Sequence, residues 1–319
     1  MATRELDIAS PGRLRSSWRA FRDSDLLYSF LHQPLVMLSA AVALLMVLGA
    51  VFAPLLTPQN PFNPAELELM DAFVAPMGES LMDPDVTYLL GTDSQGRDIY
   101  SAILYGTRIS LLVGFSAVLF AMILGTSIGL YAGYRGGWPD AVLMRVADVQ
   151  LTLPNILLAL LIFGIISGLL PAGERSEAAL IVLIVSIGLS DWPQYARTVR
   201  GATMVEKQKE YVQASRVIGL PVAAILFQHI LPNVMRPVLV IGTIGLALAI
   251  IAEATLSFLG VGMPPTQPSL GTLIRVGQDY MLSGEWWITL FPAIALLLLA
   301  LSVNLLGDWL RDVLNPKLR

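Results

Sequence analysis

An acidic residue, Glu253, follows the apolar run IGTIGLALAIIA. A charged side chain at the centre of a bilayer costs about 2.5 to 3.5 kcal/mol on insertion scales, so it is expected to face protein or water. Glu253 is therefore a candidate for a transport pathway or gate. The alternative is that Glu253 caps the helix bundle near the interface, because the segment FLGVGMPP that follows resembles the outer end of a span.

The segment EYVQASRVIGLP is a second candidate site, and its pattern predicts a short helix. Gly219 is expected to end this helix, because Pro221 cannot continue it. The small residues Ala214 and Ser215 leave room at the centre of the exposed face for another protein. Such a helix can also lie on lipid, but the hydroxyl of Ser215 interrupts its narrow apolar face, which favours protein contact. The residues predicted to make the contact are Glu210, Tyr211, Ala214, Ser215, Ile218 and Gly219.

Other common site chemistries find no support in the sequence. The chain contains no cysteine, and its two histidines, His32 and His229, lack metal-ligand spacing, so no metal site or cofactor is expected. The three lysines, Lys207, Lys209 and Lys317, stand in no phosphate-binding loop. We therefore expect no catalysis and no nucleic-acid partner. Any transport must draw on a separate ATPase or on an ion gradient.

The composition indicates that these residues belong to an integral membrane protein. Hydrophobic residues make up 55% of the 319-residue chain and charged residues only 14%, against roughly 25% charged residues in soluble domains. A helix needs about 20 apolar residues to cross the hydrocarbon core. The sequence therefore predicts an all-α, polytopic protein with six transmembrane helices. The predicted spans are 35–56, 109–133, 150–170, 178–196, 237–259 and 287–307.

The distribution of positive charge predicts that both termini are cytoplasmic, because cytoplasmic loops carry an excess of Lys and Arg. In that orientation only Arg97, Arg108, Arg175 and Arg275 fall outside. The predicted organisation is a cytoplasmic N-terminal segment 1–34, a first transmembrane helix 35–56, an extracytoplasmic loop 57–108, a five-helix core 109–310 that includes a cytoplasmic loop 198–234, and a cytoplasmic tail 311–319.

Two polar segments between these spans have alternative interpretations. The outer loop 57–108 is rich in Pro, Asp and Glu, so its acids either keep it solvated or form a docking surface for an extracytoplasmic partner. At the start of the third span, Arg145 and Asp148 lie three residues apart, and this spacing favours an ion pair on one helical face over a role in transport. Asp191 is expected to mark the inner end of the fourth span.

Several segments together resemble one family. LLGTDSQGRD, LYGTRISLLVG, MRVADVQLTLPNILLAL, EYVQASRVIG, EATLSFLGVG and NLLGDWLRDVLNPKLR are similar to the dipeptide/oligopeptide permease family of ATP-binding cassette (ABC) importers, and in particular to its C-type subunit. The pattern around Gly219 resembles the "EAA" loop of such permeases. This chain departs from that pattern in two places: the Glu-Ala-Ala triplet is Gln213-Ala214-Ser215, and His229 replaces an isoleucine.

The resemblance implies a type I ABC importer permease fold in a bacterial inner membrane. The helix around Ala214 would be the coupling helix, which docks on the ATPase. Implied partners are a homologous permease subunit, two ATPases, an extracytoplasmic substrate-binding protein and the lipid membrane. Implied substrates are di- or oligopeptides, with nickel, glutathione or another small solute as alternatives. A gradient-driven transporter and a non-transporting receptor or scaffold are the other function classes left open.

Overall fold

The computed structural model describes residues 29–314, so most of the predicted segment 1–34 and the last five residues of the tail 311–319 lie outside it. Helices dominate the described part. They are α1 Pro34–Val51, α2 Ile99–Arg135, α3 Gly137–Leu151, α4 Asn155–Leu169, α5 Arg175–Glu206, α6 Glu210–Val217, α7 Leu231–Phe258, α8 Leu270–Gln278 and α9 Trp287–Leu314. Short α-helical segments also lie at Ala53–Leu56 and Val222–Ala224, and a π-helix at Ile225–Ile230 leads into α7.

The predicted all-α, polytopic fold is confirmed. Five stretches of the described chain are long and apolar enough to span a membrane: α1, α2, α5, the segment Val222–Phe258 that contains α7, and α9. The pair α3 and α4, bent by 102° at its break, makes a sixth if it is counted as one span. The third predicted span is therefore a broken one, interrupted at Pro154, whose missing N–H disfavours a continuous helix.

Several helices extend beyond the predicted spans, most clearly α2 and α5. Helix α2 begins at Ile99 rather than 109, because the Asp98 side chain accepts hydrogen bonds from the N–H groups of Tyr100 and Ser101 and caps the helix. Helix α5 does not end near Asp191 but continues through Pro193 to Glu206. The first part of α2 thus lies within the segment 57–108, and the last part of α5 lies within the segment 198–234.

Helices α2 and α5 pack with their backbones nearly in contact, through a row of glycines on α2. A Cβ atom built on Gly125, Gly129 or Gly133 would lie 2.5, 2.3 or 2.7 Å from a carbonyl oxygen of α5. No side chain larger than hydrogen fits at these distances. Small residues at this spacing are a common means of close packing between transmembrane helices.

A side chain from α3 donates the hydrogen bond that the proline in α5 cannot donate. Pro193 cannot donate to the carbonyl of Leu189, and the Gln150 Nε2 atom donates to that oxygen at 2.6 Å. The Gln150 Oε1 atom in turn accepts from the indole N–H of Trp192 at 3.1 Å. One amide thus satisfies the freed carbonyl and fixes the end of α3 against α5.

The predicted ion pair between Arg145 and Asp148 is wrong. The Asp148 Oδ1 atom lies 3.1 Å from the Nη2 atom of Arg197 on α5. Helical spacing makes a local pair possible, but here the neighbouring helix supplies the partner. The contact ties α3 to α5 instead of stabilising α3 alone.

The outer loop is folded, and some of its acids are structural. Asp71 is fully buried and accepts hydrogen bonds from Ser80 Oγ at 2.6 Å, Leu81 N at 2.7 Å and Tyr88 Oη at 2.8 Å. These bonds join both strands of a small antiparallel pair, β1 Gly78–Glu79 and β2 Thr87–Tyr88, to the preceding turn. Burial and the Asp71 carboxylate raise the pKa of Tyr88 to about 12. A purely solvating role is therefore wrong for Asp71, and also for the buried Asp93 and Asp98.

Candidate functional site

The predicted short helix is present as α6, and it ends where the sequence indicated. Gly219 has φ +85°, a conformation that favours glycine. Its N–H donates to the Arg216 carbonyl at 3.0 Å, and the Leu220 N–H donates to the Ser215 carbonyl at 3.1 Å. This pair of bonds is the Schellman motif, which satisfies carbonyls at a helix end. The return of the chain toward the membrane thus depends on Gly219.

One residue of the predicted contact face points the other way. Ser215 is buried, and its hydroxyl donates to the Tyr211 carbonyl at 2.8 Å, so it does not lie at the centre of the exposed face. Ala214 is exposed as predicted, and so is Ile218, at 78%. Val217, which the pattern did not single out, is 88% exposed. The outward surface of α6 is therefore small and apolar at its C-terminal end.

Val212 anchors the inner side of α6. Its side chain is fully buried in a cluster with residues of α2, α5, α7 and the π-helix. The helical periodicity did not identify it, because Val212 lies on the face opposite Ala214. A β-branched apolar residue between Tyr211 and Gln213, near the start of the segment, is the signal that could have found this anchor. The partners of Val212 in the cluster include Leu130, Val199, Ile225, Ile230 and Val234.

A chain of hydrogen bonds connects α6 with its neighbours in sequence. The Tyr211 hydroxyl donates to the Glu206 carboxylate at the end of α5 and accepts from Asn233 Nδ2 of α7 at 3.0 Å. Partial burial and the bond to Glu206 raise the pKa of Tyr211 to about 12. Asn233 also donates to the His229 carbonyl at 2.8 Å. Tyr211 therefore joins the end of α5 to the beginning of α7, while Glu210, in the first turn of α6, stays exposed.

Two basic residues connect the same segment to the end of α2. The Lys207 Nζ atom donates to the Gly133 carbonyl at 2.7 Å, a favourable place for a cation at a helix C-terminus. The Arg216 guanidinium lies over the Tyr134 ring, 5.0 Å from its centroid. Displacement of α6 would therefore be passed to α2 as well as to α5 and α7.

The candidate Glu253 is fully buried near the other end of α7. Its Oε2 atom accepts from Ser110 Oγ of α2 at 2.7 Å, and its Oε1 atom accepts from Ser257 Oγ at 2.8 Å. Ser257 accepts from the Met263 N–H at 3.2 Å, and Ser110 lies 3.4 Å from the Leu270 N–H at the start of α8. Glu253 thus holds α2, α7 and the chain leading into α8 together.

The structure does not bring the two candidate sites together. Twenty residues of α7 separate Asn233 from Glu253, which corresponds to about 30 Å along a helix axis. Any coupling between them must pass through α2, α5 or α7.

Comparison with known proteins identifies the family. Residues 125–319 match the family described as "Binding-protein-dependent transport system inner membrane component", and residues 13–76 match the "N-terminal TM domain of oligopeptide transport permease C". A structure of the MetNI methionine ABC transporter, in an inward-facing conformation, shares the fold. It is 20% identical with a TM-score of 0.50 and covers 67% of this chain and 96% of that chain. The predicted importer permease fold is confirmed.

Similar curated proteins extend over most of the chain. The dipeptide transport system permease protein DppC of Haemophilus influenzae is 40% identical over 88% of this chain and 91% of its own length. The glutathione transport system permease protein GsiD of Pectobacterium atrosepticum is 35% identical over 98% of this chain and 96% of its own length. The resemblance to C-type dipeptide/oligopeptide permeases is thereby confirmed. The chain belongs to the family of binding-protein-dependent transport system inner membrane components.

Proposed function

We propose that this chain is one permease subunit of an ATP-driven importer of di- or oligopeptides in a bacterial inner membrane. It forms half of the translocation pathway, and a homologous permease forms the other half. Two ATPases dock on the cytoplasmic side, and an extracytoplasmic binding protein delivers the substrate. The observation that carries the proposal is α6, a helix anchored to α2, α5 and α7 whose outward surface is apolar and uncovered.

The apolar surface of α6 supports the assignment of an ATPase contact. Val217 and Ile218 are almost completely exposed at the tip of a segment that otherwise carries Lys, Arg and Glu. Exposed apolar groups rimmed by polar ones are typical of protein contacts. Because Val212 and Tyr211 attach α6 to three other helices, a docked ATPase would move these helices as it closes.

Peptides are the substrate class that the relatives' names favour, and glutathione, itself a peptide, is the second candidate. Dipeptide and glutathione permeases are both similar to this chain. Identifying the cargo of the binding protein that co-purifies with the complex decides between them. A cargo that is not a peptide would contradict the proposed substrate class.

Reconstitution tests the function. Proteoliposomes that contain the complete complex and its loaded binding protein should accumulate labelled peptide only with ATP inside. Uptake should persist when an ionophore collapses ion gradients, since the energy comes from ATP. Uptake that needs a gradient and no ATP would indicate a secondary transporter, and peptide binding without any uptake would indicate a receptor or scaffold.

The same assay tests the role of α6. Ala214→Trp adds bulk to an exposed position, and overpacking a close contact costs typically about 1 to 3 kcal/mol. We expect this variant to reach the membrane normally, to lose most of its ATPase in pull-down, and to lose uptake. Gly219→Val should do the same, because its φ of +85° is strained for a β-branched residue although open space surrounds the position.

Two variants serve as controls. Gly219→Asn should retain most uptake, since Asn tolerates positive φ better than other residues. Gln208→Ala, at an exposed position outside α6, should be nearly silent. If the Ala214→Trp complex keeps its full amount of ATPase and transports at the parental rate, the docking assignment is wrong.

The proposed orientation places both termini in the cytoplasm, as the distribution of Lys and Arg favours. Glu68 in the outer loop and Gln208 near α6 are both exposed, and the chain has no cysteine of its own. A single cysteine at Glu68 should react with an impermeant maleimide in intact cells, while one at Gln208 should react only after lysis. The reverse pattern would contradict this orientation.

We propose that Glu253 acts at a gate by holding α8 against α2 and α7. Glu253→Gln keeps the shape and one acceptor oxygen but removes the charge. The expected result is at least about a tenfold change in uptake, with a near-normal yield of assembled complex in detergent. Loss of assembled complex would instead assign Glu253 a packing role alone.

A further inference from the structure

The break between α3 and α4 is exposed along its whole length. Every residue from 151 to 157, which we call the elbow, is exposed in this chain. Non-helical backbone at membrane depth is tolerated only where protein covers it or water reaches it. The first N–H groups of α4, moreover, have no acceptor within their own helix. The elbow must therefore face a partner subunit or an aqueous space.

The side of α5 that faces the elbow carries polar residues at the height of the elbow. Asp191 and Gln194 are half-buried. Their neighbours Trp192, Pro193 and Tyr195 are buried. The predicted fourth span begins at Ala178, and Asp191 lies about 20 Å further along the helix axis, within the roughly 30 Å hydrocarbon thickness. Polar side chains in spanning segments usually face the bundle interior or water.

The acidic and basic side chains around the elbow are equal in number. Arg197 pairs with Asp148, and Arg145 is exposed on α3 beside an open groove. The Asp191 Oδ1 atom accepts a hydrogen bond from Asn155 Nδ2 at 2.8 Å. The partner of Asp191 is thus a neutral amide rather than a cation. A surface with two acids and two bases matches a zwitterion better than an ion of one sign.

We propose that the elbow and the polar side of α5 line the water-filled translocation pathway, and that Asp191 accepts a hydrogen bond from the ammonium group of the passing substrate. That the substrate is a zwitterion rests on the proposed import of peptides. That water reaches the elbow and α5 does not depend on that proposal. Glu253 differs from Asp191, because its carboxylate is enclosed by its own chain. Asp191 is therefore the carboxylate that a substrate can reach.

Cysteine reactivity in the assembled complex tests the aqueous environment. The thiolate that reacts with N-ethylmaleimide forms in water and not in lipid. Gln194→Cys should react within about tenfold of the rate at Glu68→Cys and at least about tenfold faster than Leu45→Cys, a control on the exposed side of α1. A rate at Gln194→Cys equal to that at Leu45→Cys would mean that lipid or the partner permease covers this face, and would overturn the proposal. This labelling requires no transport, so its failure is distinct from failure of the proposed function.

The role of Asp191 is tested by substitution. Asp191→Asn can still bond to Asn155 but has no charge, so we expect uptake of a zwitterionic dipeptide per assembled complex to fall at least about tenfold. Asp191→Glu should recover part of that loss. Parental uptake by Asp191→Asn would overturn the substrate contact. Loss of assembled complex would make Asp191 a packing residue and would overturn it as well.

Discussion

The close approach of α2 and α5 is the contact on which the other parts of the chain depend. Gly129 lets the two backbones meet where a Cβ atom would stand 2.3 Å from the Ala196 carbonyl oxygen. Because the helices are so close, Lys207 reaches the Gly133 carbonyl at the C-terminal end of α2. Further along α5, Gln150 holds α3 and the elbow in place. A larger residue at Gly129 would push α2 away from α5 and would separate Lys207 from the Gly133 carbonyl.

Several polar groups in the described part of this apolar chain join segments that are distant in sequence. Glu253 connects three parts of the bundle through serine hydroxyls, and the Asp140 carboxylate receives two bonds from the Arg200 guanidinium, at 2.5 and 2.7 Å. The outward side of α6 and the elbow are different. On α6, apolar side chains that a folded chain would normally bury are exposed to solvent. At the elbow, the non-helical backbone is exposed. We assign the partner contact to the first of these surfaces and the substrate contact to the second.

Local pattern predicted the features that depend on local geometry. The period of α6 and the positive φ of Gly219 follow from residue spacing and from glycine's conformational freedom. The family was predicted from several short segments taken together. The boundaries of α2 and α5 were less accurate, because hydropathy marks the apolar part of a helix whereas the helix itself extends beyond the membrane.

Features that depend on neighbouring helices were not predicted. Ser215 shares the predicted face with Ala214, yet α6 turns it inward because Val212 beside it fills the core. Asp148 has a base at helical spacing, but Arg197 on another helix lies closer to it. Pro154 was a visible signal for a kink, while the 102° bend and the exposure of the elbow depend on how α4 packs against α5.

We propose that the outward surface of α6 contacts the ATPase. Site-specific photocrosslinking tests it most directly, with a photoreactive residue at Val217 in intact cells and the same residue at Leu45 of α1 as control. Both positions are exposed in this chain, at 88% and 69%. The prediction is a crosslinked product that contains the ATPase from Val217 and none from Leu45. Crosslinks from Val217 to lipid alone, with the ATPase present in the membrane, would contradict the claim.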